Sequence, residues 1–269
     1  MTQKGPTPAV FARDADGYLP LAAAHGPWNA GHLHGGPVMG LLTHLVQASV
    51  DDPSFRLSRI TTDLHSPVPT ARLTPVVTTI RRSKRLWLLQ AVLVHEGSEV
   101  ARTSALFLRS DAEHPTRLDA AHPPGPDGLP TRALFAGVDP AYMPPGFHTT
   151  VQTRWVPRAE HVPRAIWFRL PLPLIEGQPT SPLTAACALA DFAAAAASIE
   201  AAEQGQGGVA YINTDCTLYL ARPPQGEWFC VVADRQSEHD GINVIEVAHY
   251  DEHGRFGRSL QARLAQRFR

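Results

Sequence analysis

The sequence has little charge of either sign. Of its 269 residues 18% are charged, and 24 lysines and arginines nearly balance 25 aspartates and glutamates, which gives a formal net charge of −1. Because no basic excess draws the chain towards nucleic acid or an anionic membrane surface, we expect neither as a partner. A small-molecule substrate is the better expectation.

Long apolar runs are also missing. No apolar stretch is long enough to span a bilayer, and the first residues, Met1 to Pro6, lack the apolar core of a signal peptide. The chain has only three cysteines, Cys187, Cys216 and Cys230, each within an apolar run, as is typical of buried thiols in a reducing compartment. We therefore expect a cytoplasmic protein.

Motifs for the commoner hydrolytic chemistries do not occur in the sequence. No Gly-x-Ser-x-Gly elbow marks a serine nucleophile, and no local motif pairs a cysteine with a histidine. Although the chain has 13 histidines, neither His-Glu-x-x-His nor paired Cys-x-x-Cys spacing is found. We expect no metal and no other cofactor.

The apolar content is high enough for two domains. Apolar residues make up 43% of the chain, which suffices for a sizeable core. Helix and strand breakers concentrate between His122 and Pro130, and further prolines follow shortly afterwards. We predict an N-terminal repeat over residues 1–112, a Pro/Gly-rich linker over 113–145 and a C-terminal repeat over 146–269.

The same order of elements can be read on each side of this linker. In the first half Gly35-Gly36-Pro37 precedes a predicted helix from Val38 to Val46, because proline suits a first helical turn. In the second half Ser181-Pro182 precedes a predicted helix from Leu183 to Ser198, with serine as the N-cap. Runs of β-branched and aromatic residues predict strands near 60–64, 74–82, 86–96 and 99–109, and near 212–216, 227–235, 242–250 and 257–267. The chain is thus a diverged internal repeat.

Asp191 is the one acid in an otherwise uncharged stretch of the second predicted helix, Ala188 to Ala197. Its neighbours one turn away are small, so this helix face can approach a sheet closely. Two interpretations stay open. The residue is either a structural aspartate, hydrogen-bonded in the interior or turned to solvent, or a base or water-orienting carboxylate.

Polar residues on two strands of the second half could assist such a carboxylate. Leu260 and Ala262 belong to an apolar alternation, which places Gln261 on the opposite face. The same alternation groups Asn213 with the polar set. A carboxylate, an amide and an asparagine or threonine can hold one water while the carboxylate accepts its proton. A lone strand glutamine, however, is usually a surface residue.

Glycines precede the first predicted helix, directly after His34. At Gly35 and Gly36, backbone N–H groups and the positive helix end can bind an anion or a carbonyl oxygen. A tight turn is the alternative. We take these three residues as candidates for substrate binding. The first predicted helix has no acid, so we expect a single acid-based site, in the second repeat.

Two runs in the first half resemble the N-terminal part of the bacterial acyl-CoA thioesterase II family, namely Trp28 to Val38 and Leu64 to Pro69. The C-terminal part of that family is similar, in the same order, to the runs Leu189 to Phe192, Asp215 to Pro223, Glu227-Trp228 and Gly257 to Gln261. Nearly the whole chain outside the linker is covered. The resemblance implies a double hot-dog fold of the α+β class, with two tandem repeats, each a long helix wrapped by a mostly antiparallel β-sheet.

The resemblance also implies a reaction, the hydrolysis of acyl-CoA thioesters without a metal. In that family an Asp, a Thr and a Gln of the C-terminal repeat activate a water, and Asp191 and Gln261 match two of these positions. Asn213 stands at the threonine position and Thr214 follows it. Either Asn213 substitutes for the threonine, or a bulge lets Thr214 take the role. Strand alternation favours Asn213.

Acyl-CoA as substrate, and a homodimer or larger homo-oligomer, are further implications of the resemblance. Two rival functions stay open. A hot-dog hydratase or dehydratase would need a differently placed acid and histidine pair, which the sequence does not reveal. A non-catalytic acyl-CoA-binding protein is the other rival, because the threonine is replaced.

Overall fold

A computed structural model of the chain describes residues 8–27, 29, 31–111, 114, 123–135, 143–158, 164–203 and 210–266, without the side chains at 200–203 and 210. Much of the predicted linker at 113–145 lies outside these residues, and the two boundaries between the three predicted segments stay a prediction. The described part of the linker packs on the second half. Leu134 is buried in the core, and the indole of Trp167 donates to the carbonyl of Pro124.

Each half of the chain consists of helices and antiparallel strands. The first half contains β1 (Phe11–Asp14), β2 (Gly17–Pro20), a short 3-10 helix (Ala22–Ala24), α1 (Gly35–Ala48), β3 (Phe55–Asp63), β4 (Thr74–Arg82), β5 (Leu86–His95) and β6 (Ser98–Arg109). The second half contains α2 (Phe147–Thr150), β7 (Gln152–Trp155), β8 (Ala165–Arg169), α3 (Pro182–Ala190), α4 (Ala193–Glu203), β9 (Ala210–Asn213), β10 (Asp215–Leu220), β11 (Trp228–His239), β12 (Ile242–Asp251) and β13 (Gly254–Gln266). The strands predicted after each helix are all present, although the one near 212–216 is interrupted at Thr214.

The described strands other than the β1–β2 hairpin form one antiparallel sheet. Its order is β4-β5-β6-β3-β10-β13-β12-β11-β8-β7, and β9 also pairs with β13. The halves meet at β3 and β10, where Thr61 lies opposite Thr217 and Asp63 opposite Asp215. From this junction the strands follow in the same order on both sides, so the repeat seen in the sequence is a repeat of structure. The predicted α+β architecture is confirmed.

The helices of the two halves pack directly on one another. α1 contacts β3 to β6, α3 contacts β8 and β11, and α4 contacts β11 and β12. Glycine allows α1 and α3 to approach closely, because a Cβ on Gly40 would lie only 2.9 Å from the Cβ of Ala188. Leu41 and Leu42 of α1 belong to the same buried cluster as Leu189 of α3. The two repeats therefore share one hydrophobic core.

The single helix predicted over 183–198 is wrong, because the chain forms α3 and α4 there, bent by 41° from each other. A strand residue explains the break. The side-chain amide of Gln261 donates to the carbonyl of Ala190 at 2.9 Å, where the N–H of Ala194 would bond in a continuous helix. That N–H donates instead to the carbonyl of Asp191, at 3.4 Å. The break thus falls at the candidate catalytic aspartate.

From Ser259 to Leu264, strand β13 turns alternate polar side chains to the interior and leucines to the surface. Ser259, Gln261 and Arg263 are buried, whereas Leu260 and Leu264 are 42% and 49% exposed. The alternation predicted for this strand is present, and the polar face is the one turned towards the helices. Three hydrogen-bonding side chains are therefore held in the interior, beside the break between α3 and α4.

The apolar helix α3 is almost entirely buried in the fold. All five residues from Ala186 to Ala190 have their side chains in the interior. Across the ranges given above, no single helix is long and apolar enough to cross a membrane. The bent pair formed by α3 and residues Ala193–Ile199 passes such a test by length and composition alone.

The close approach of α1 and α3 predicts that Gly40→Leu destabilises the protein. Leucine is a good helix former, so any loss reflects the contact with Ala188 rather than helix propensity. We expect the free energy of unfolding to fall by about 1–3 kcal/mol, as for an overpacked core. Urea denaturation followed by circular dichroism measures it.

The matched control is Ala48→Leu, which adds the same side chain at the exposed end of the same helix. Its free energy of unfolding should stay within about 0.5 kcal/mol of that of the parent protein. Equal stability of the two variants would contradict a tight contact between the helices.

Candidate active site

A cavity of about 710 Å³ lies where the two repeats meet. Its size is in the range of small-molecule sites. Five residues that the sequence suggested line it, and they come from both halves: His34, Gly35, Asp191, Asn213 and Thr214. Two others, Gly36 and Gln261, do not line it.

Asp191, only 6% exposed, is the centre of this site. Its Oδ2 lies 2.8 Å from Nδ1 of His34, and its Oδ1 accepts a hydrogen bond of 2.7 Å from the amide of Asn213. Burial acts to raise the pKa of the carboxyl, but the attraction of His34 and the hydrogen bonds from His34, Asn213 and the N–H of Gly36 outweigh it. The net pKa is lowered, so the carboxylate is ionised at neutral pH.

The His34 ring takes a defined tautomer beside this carboxylate. Its Nδ1 lies within hydrogen-bond distance of both Asp191 Oδ2 and the N–H of Gly36, the latter at 3.1 Å, and one ring nitrogen cannot both donate and accept. An ionised oxygen at 2.8 Å favours a proton on Nδ1. In the neutral ring Nε2 is then a free acceptor, and it has no partner among the described residues.

Aromatic rings fix the orientation of the His34 ring. Its centroid lies 5.0 Å from that of Phe192 and 5.4 Å from that of Phe147. Phe192 in turn stacks on Phe147 at 5.6 Å and on Phe168 at 5.1 Å. Because these rings are buried, the imidazole is confined to one direction, with Nδ1 towards Asp191.

The two glycines of the first helical turn make room for the aspartate. A Cβ on Gly35 would lie 2.9 Å from Oδ2 of Asp191, and one on Gly36 would lie 2.6 Å from the carbonyl of Ala188. The N–H of Gly36 is used within the protein, on the Asp191–His34 pair. Of the predicted backbone donors for a substrate, Gly35 is the one at the cavity.

A bulge separates β9 from β10 and decides which side chains face the aspartate. Asn213 lies opposite Arg263, whereas Thr217 lies opposite Leu260, so the β9–β10 side has one extra residue. Thr214 falls at this irregularity and donates its hydroxyl proton to the carbonyl of Ala262. Of the two residues left open at the threonine position, Asn213 is therefore the one that contacts Asp191.

The bulge also changes which side chains of β9 and β10 share a face of the sheet. Strict alternation would place Cys216, three residues after Asn213, on the opposite face of the strand, yet its sulfur lies 3.5 Å from the amide of Gln261, on the inner face. The extra residue at Thr214 reverses the alternation between the two positions. Alternation therefore holds within β9 and within β10, but not across them.

Gln261 lies behind the cavity rather than in its wall. The side chain is 1% exposed and its amide donates to the carbonyl of Ala190. Its Oε1 is buried and has no partner within the described part of the chain. The structure thus places Gln261 against the residue before Asp191, not against Asp191 itself.

The sequence did not single out His34 as the partner of Asp191, nor Arg263 and Tyr211 as part of the cavity wall. His34 and Asp191 form an acid and histidine contact that the sequence did not reveal. His34 and Asp191 are more than 150 positions apart, and no local pattern joins them. Arg263 could have been found, because it shares the strand alternation of Gln261.

Nucleophilic and metal chemistry have little support in the geometry. The three cysteines are buried, and burial raises the pKa of the Cys187 thiol to about 12, where a thiolate does not form. No three His, Cys, Asp or Glu side chains are grouped to hold a metal ion in the parts of the chain that the structure covers. The polar residues around Asp191 are left as the chemical groups of the site.

Solved structures with the same architecture define the fold. The acyl-CoA thioesterase II TesB2 from Mycobacterium marinum has a TM-score of 0.65 and 16% identity, with 86% of this chain and 88% of that chain covered. A conserved hot-dog protein of unknown function from Alicyclobacillus acidocaldarius has a TM-score of 0.68 and 15% identity, with 96% of each chain covered. The dehydratase domain of PpsC from Mycobacterium tuberculosis, in complex with C12:1-CoA, has a TM-score of 0.53 and 12% identity, with 91% of this chain and 90% of that chain covered. At such identities the likeness shows the fold alone, a double hot-dog.

Sequence families define the relationship more closely. The acyl-CoA thioesterase N-terminal domain matches residues 24–108, and the acyl-CoA thioesterase C-terminal domain matches residues 115–264. No curated protein matches the sequence. Since the second match alone spans more than half of the chain, the chain belongs to the acyl-CoA thioesterase family.

The lowered pKa of Asp191 predicts a pH-dependent contribution to stability. The pKa of Asp191 is lower in the folded protein than its ordinary value of 3.8. The carboxylate therefore contributes fully to the free energy of unfolding above pH 3.8, and this contribution is lost as the pH falls through the lower pKa of the folded protein. The free energy of unfolding of the parent protein minus that of Asp191→Asn should therefore fall in acid, as the carboxyl is protonated.

Urea denaturation of both proteins, from about pH 5 down to about pH 3, gives this difference, in which titrating groups that do not contact Asp191 cancel. Comparing Asp191→Asn with the double variant that also carries His34→Gln measures any pH dependence that the histidine itself contributes. A parent-minus-variant difference that is flat throughout would mean that the carboxyl is not ionised in the folded protein.

Proposed function

We propose that this protein hydrolyses an acyl-CoA thioester to a free acid and CoA, at the cavity between the repeats. The observation that carries the proposal is the cluster of Asp191, His34 and Asn213, in which an ionised carboxylate orients an imidazole towards a cavity of substrate size. Family membership and fold support a thioesterase in general. The assignment of roles to these residues is the proposal.

The first step is the attack of a water on the thioester carbonyl carbon. A base works best when its pKa is near the operating pH, and the lowered pKa of Asp191 makes that carboxylate a weak base. Nε2 of His34 is a free acceptor, and imidazole is the side chain most often used for this task. We assign His34 as the base and Asp191 as the group that orients it and balances the imidazolium charge.

The second step is the collapse of the tetrahedral intermediate. The carbonyl oxygen carries negative charge until the carbon–sulfur bond breaks, and the N–H of Gly35 and the positive end of α1 are suited to stabilise it. The CoA thiolate leaves and takes the proton that His34 received from water. Water and thioester are thus converted to acid and thiol, and the enzyme returns to its starting state.

Gln261 acts in this proposal as a positioning residue. By accepting the bond from Gln261, the carbonyl of Ala190 no longer continues the helix, and Asp191 lies at the resulting bend. The resemblance places Gln261 among the water-activating residues, and its unpaired Oε1 could accept from a water. In either role its removal should affect the reaction rather than substrate affinity alone.

A hot-dog dehydratase or hydratase is the second candidate, and one observation favours it. A histidine from one repeat faces an acid from the other, which is a pair that could move a proton to and from a carbon or a hydroxyl. Family membership favours hydrolysis. Assay of an enoyl-CoA and its 3-hydroxyacyl counterpart by ultraviolet absorbance, beside thiol release from a saturated acyl-CoA, separates the two activities.

Several finer expectations stay predictions. A cytoplasmic location rests on composition, and a homodimer or larger homo-oligomer rests on the family resemblance. A non-catalytic acyl-CoA-binding role is the remaining rival, and the absence of turnover across a panel of acyl-CoA thioesters would favour it. The acyl-CoA partner itself is an implication of the family.

Asp191→Asn should reduce kcat/KM for acyl-CoA hydrolysis by about 10²–10⁴-fold, because the amide no longer stabilises the charged imidazole. Thiol release is followed with a thiol-reactive dye. The matched control is Asp63→Asn, an exposed carboxylate on β3 outside the cavity wall, which should keep the parent rate. Undiminished turnover by a folded Asp191→Asn protein would refute the mechanism.

The contact of Asn213 with Asp191 predicts a difference between two adjacent substitutions. Asn213→Ala removes a hydrogen bond to a charged group and should lower kcat by about 10–100-fold. Thr214→Ala removes a bond to a backbone carbonyl and should stay within about threefold of the parent. A larger loss for Thr214→Ala would indicate that the strand shifts across the bulge when substrate binds.

A further inference from the structure

The cavity that contains Asp191 also contains a buried positive charge. Arg263 of β13 lines this cavity and its side chain is only 2% exposed. Burying a guanidinium is costly unless an anion accompanies it. Among the described side chains no carboxylate forms a salt bridge with Arg263, and none of the proposed catalytic steps uses it.

Neutral oxygens hold the guanidinium in place. Its Nε and Nη2 donate to Oδ1 of Asn243 at 3.0 and 2.7 Å, and its Nη1 donates to the carbonyl of Ala194 and the hydroxyl of Ser198, both at 2.9 Å. Four of its five N–H groups are thus engaged and one Nη2–H is left. The ring of Tyr211 lies 4.5 Å from Cζ. These contacts fix the direction and position of the guanidinium, and no described carboxylate contacts it directly.

The charge of Arg263 persists at neutral pH. Burial lowers its pKa to about 10, against the opposing influence of Tyr211 and Glu238, so the group remains a cation. Glu238 accepts hydrogen bonds from Tyr211 and Asn243 rather than from the guanidinium. A ligand with an anionic end would complete the set of partners.

The distance between the guanidinium of Arg263 and the Asp191–His34 pair is short. Arg263 lies opposite Asn213, whose amide binds Asp191. The guanidinium bonds to Ala194 and Ser198, about one and two helical turns beyond that aspartate, which corresponds to about 5–10 Å along the helix. An acyl group held at the Asp191–His34 pair would therefore reach Arg263 with only a few carbon atoms.

We propose that the acyl group which this cavity accepts is short and carries a carboxylate at its far end, so that the substrate is a dicarboxylic acid monothioester of CoA. The inference rests on the thioesterase function proposed above. A carboxylate would receive the free N–H of Arg263 as a charge-assisted bond. A methyl end of equal length would leave the cation unpaired in the interior, which a site built for a polar group rejects.

The phosphates of CoA are a poorer match for Arg263. They belong to the large polar part of the substrate, which stays at the solvent-exposed mouth, whereas Arg263 is in the interior. Apolar groups also line the cavity, among them Leu33, Val38 and Ile199, and they suit the carbon chain between the two ends.

The experiment compares two CoA thioesters of equal chain length, glutaryl-CoA and pentanoyl-CoA, which differ in a terminal carboxylate. The parent protein should hydrolyse glutaryl-CoA with a higher kcat/KM. In Arg263→Met the ratio of the two kcat/KM values should fall by about 10–100-fold. Arg263→Lys keeps the charge but not the planar fork, and the ratio should be intermediate. Arg258→Met, on the opposite face of β13, is the matched control and should keep the parent ratio.

Product inhibition gives a readout that needs no variant. Glutaric acid should inhibit the parent protein more strongly than pentanoic acid, also when the assayed thioester is a third acyl-CoA. Circular dichroism and thermal unfolding establish that Arg263→Met and Arg258→Met are folded. If Arg263→Met does not fold, inhibition by the two acids and the kcat/KM ratio of Arg263→Lys test the carboxylate site.

Two kinds of failure are distinguishable. Hydrolysis of pentanoyl-CoA that equals or exceeds that of glutaryl-CoA, with no preference among the acids, would overturn the carboxylate site and leave the thioesterase proposal standing. If no thioester is hydrolysed, calorimetric binding of glutaryl-CoA and pentanoyl-CoA tests the site alone. Tighter binding of glutaryl-CoA that Arg263→Met abolishes would support it, and equal binding would overturn it.

Discussion

Asp191 is ionised in the protein interior, where a carboxylate costs several kcal/mol unless its charge and lone pairs are matched. The partners that match it come from three separate parts of the chain: His34 before α1, Gly36 in the first turn of α1, and Asn213 at the end of β9. Displacing any of these elements would leave a buried charge unpaired. The relative placement of the two repeats and the chemistry of the site therefore depend on the same set of contacts.

The two repeats have diverged at equivalent helix ends. The start of α1 meets the end of α3 at Asp191, and the start of α3 meets the end of α1 at Gln47, whose Oε1 accepts bonds from Ser181 and Thr184. A neutral amide there needs only hydroxyl donors, with no histidine and no positive charge. The junction at Gln47 is thus a structural contact between neutral groups, whereas the junction at Asp191 contains a charge beside a cavity.

Sequence patterns predicted this architecture well where local rules govern it. The strands after each helix follow from β-branched runs, and alternation places Asn213 rather than Thr214 on the inner face, where it contacts Asp191, while its role in a reaction stays a prediction. The break between α3 and α4 could not be predicted, because it arises when Gln261, some seventy positions later, bonds to Ala190. The same holds for His34 and Asp191, which only the packing of one repeat on the other brings together. Alternation also failed across the bulge at Thr214, where an extra residue turns Cys216 inwards.

Two polar side chains on the inner face of β13 lie at a fixed spacing from each other. Gln261 bonds at the helix break beside Asp191, and Arg263, two residues further on, lines the cavity, so the rise of a strand sets about 7 Å between their backbones. Both side chains belong to a strand that is paired within the sheet. A substrate that uses both the reacting end and the cation is therefore selected by length as well as by charge. Under the proposed function, the polar residues of a single strand would therefore set the specificity of a fold that many hot-dog proteins share.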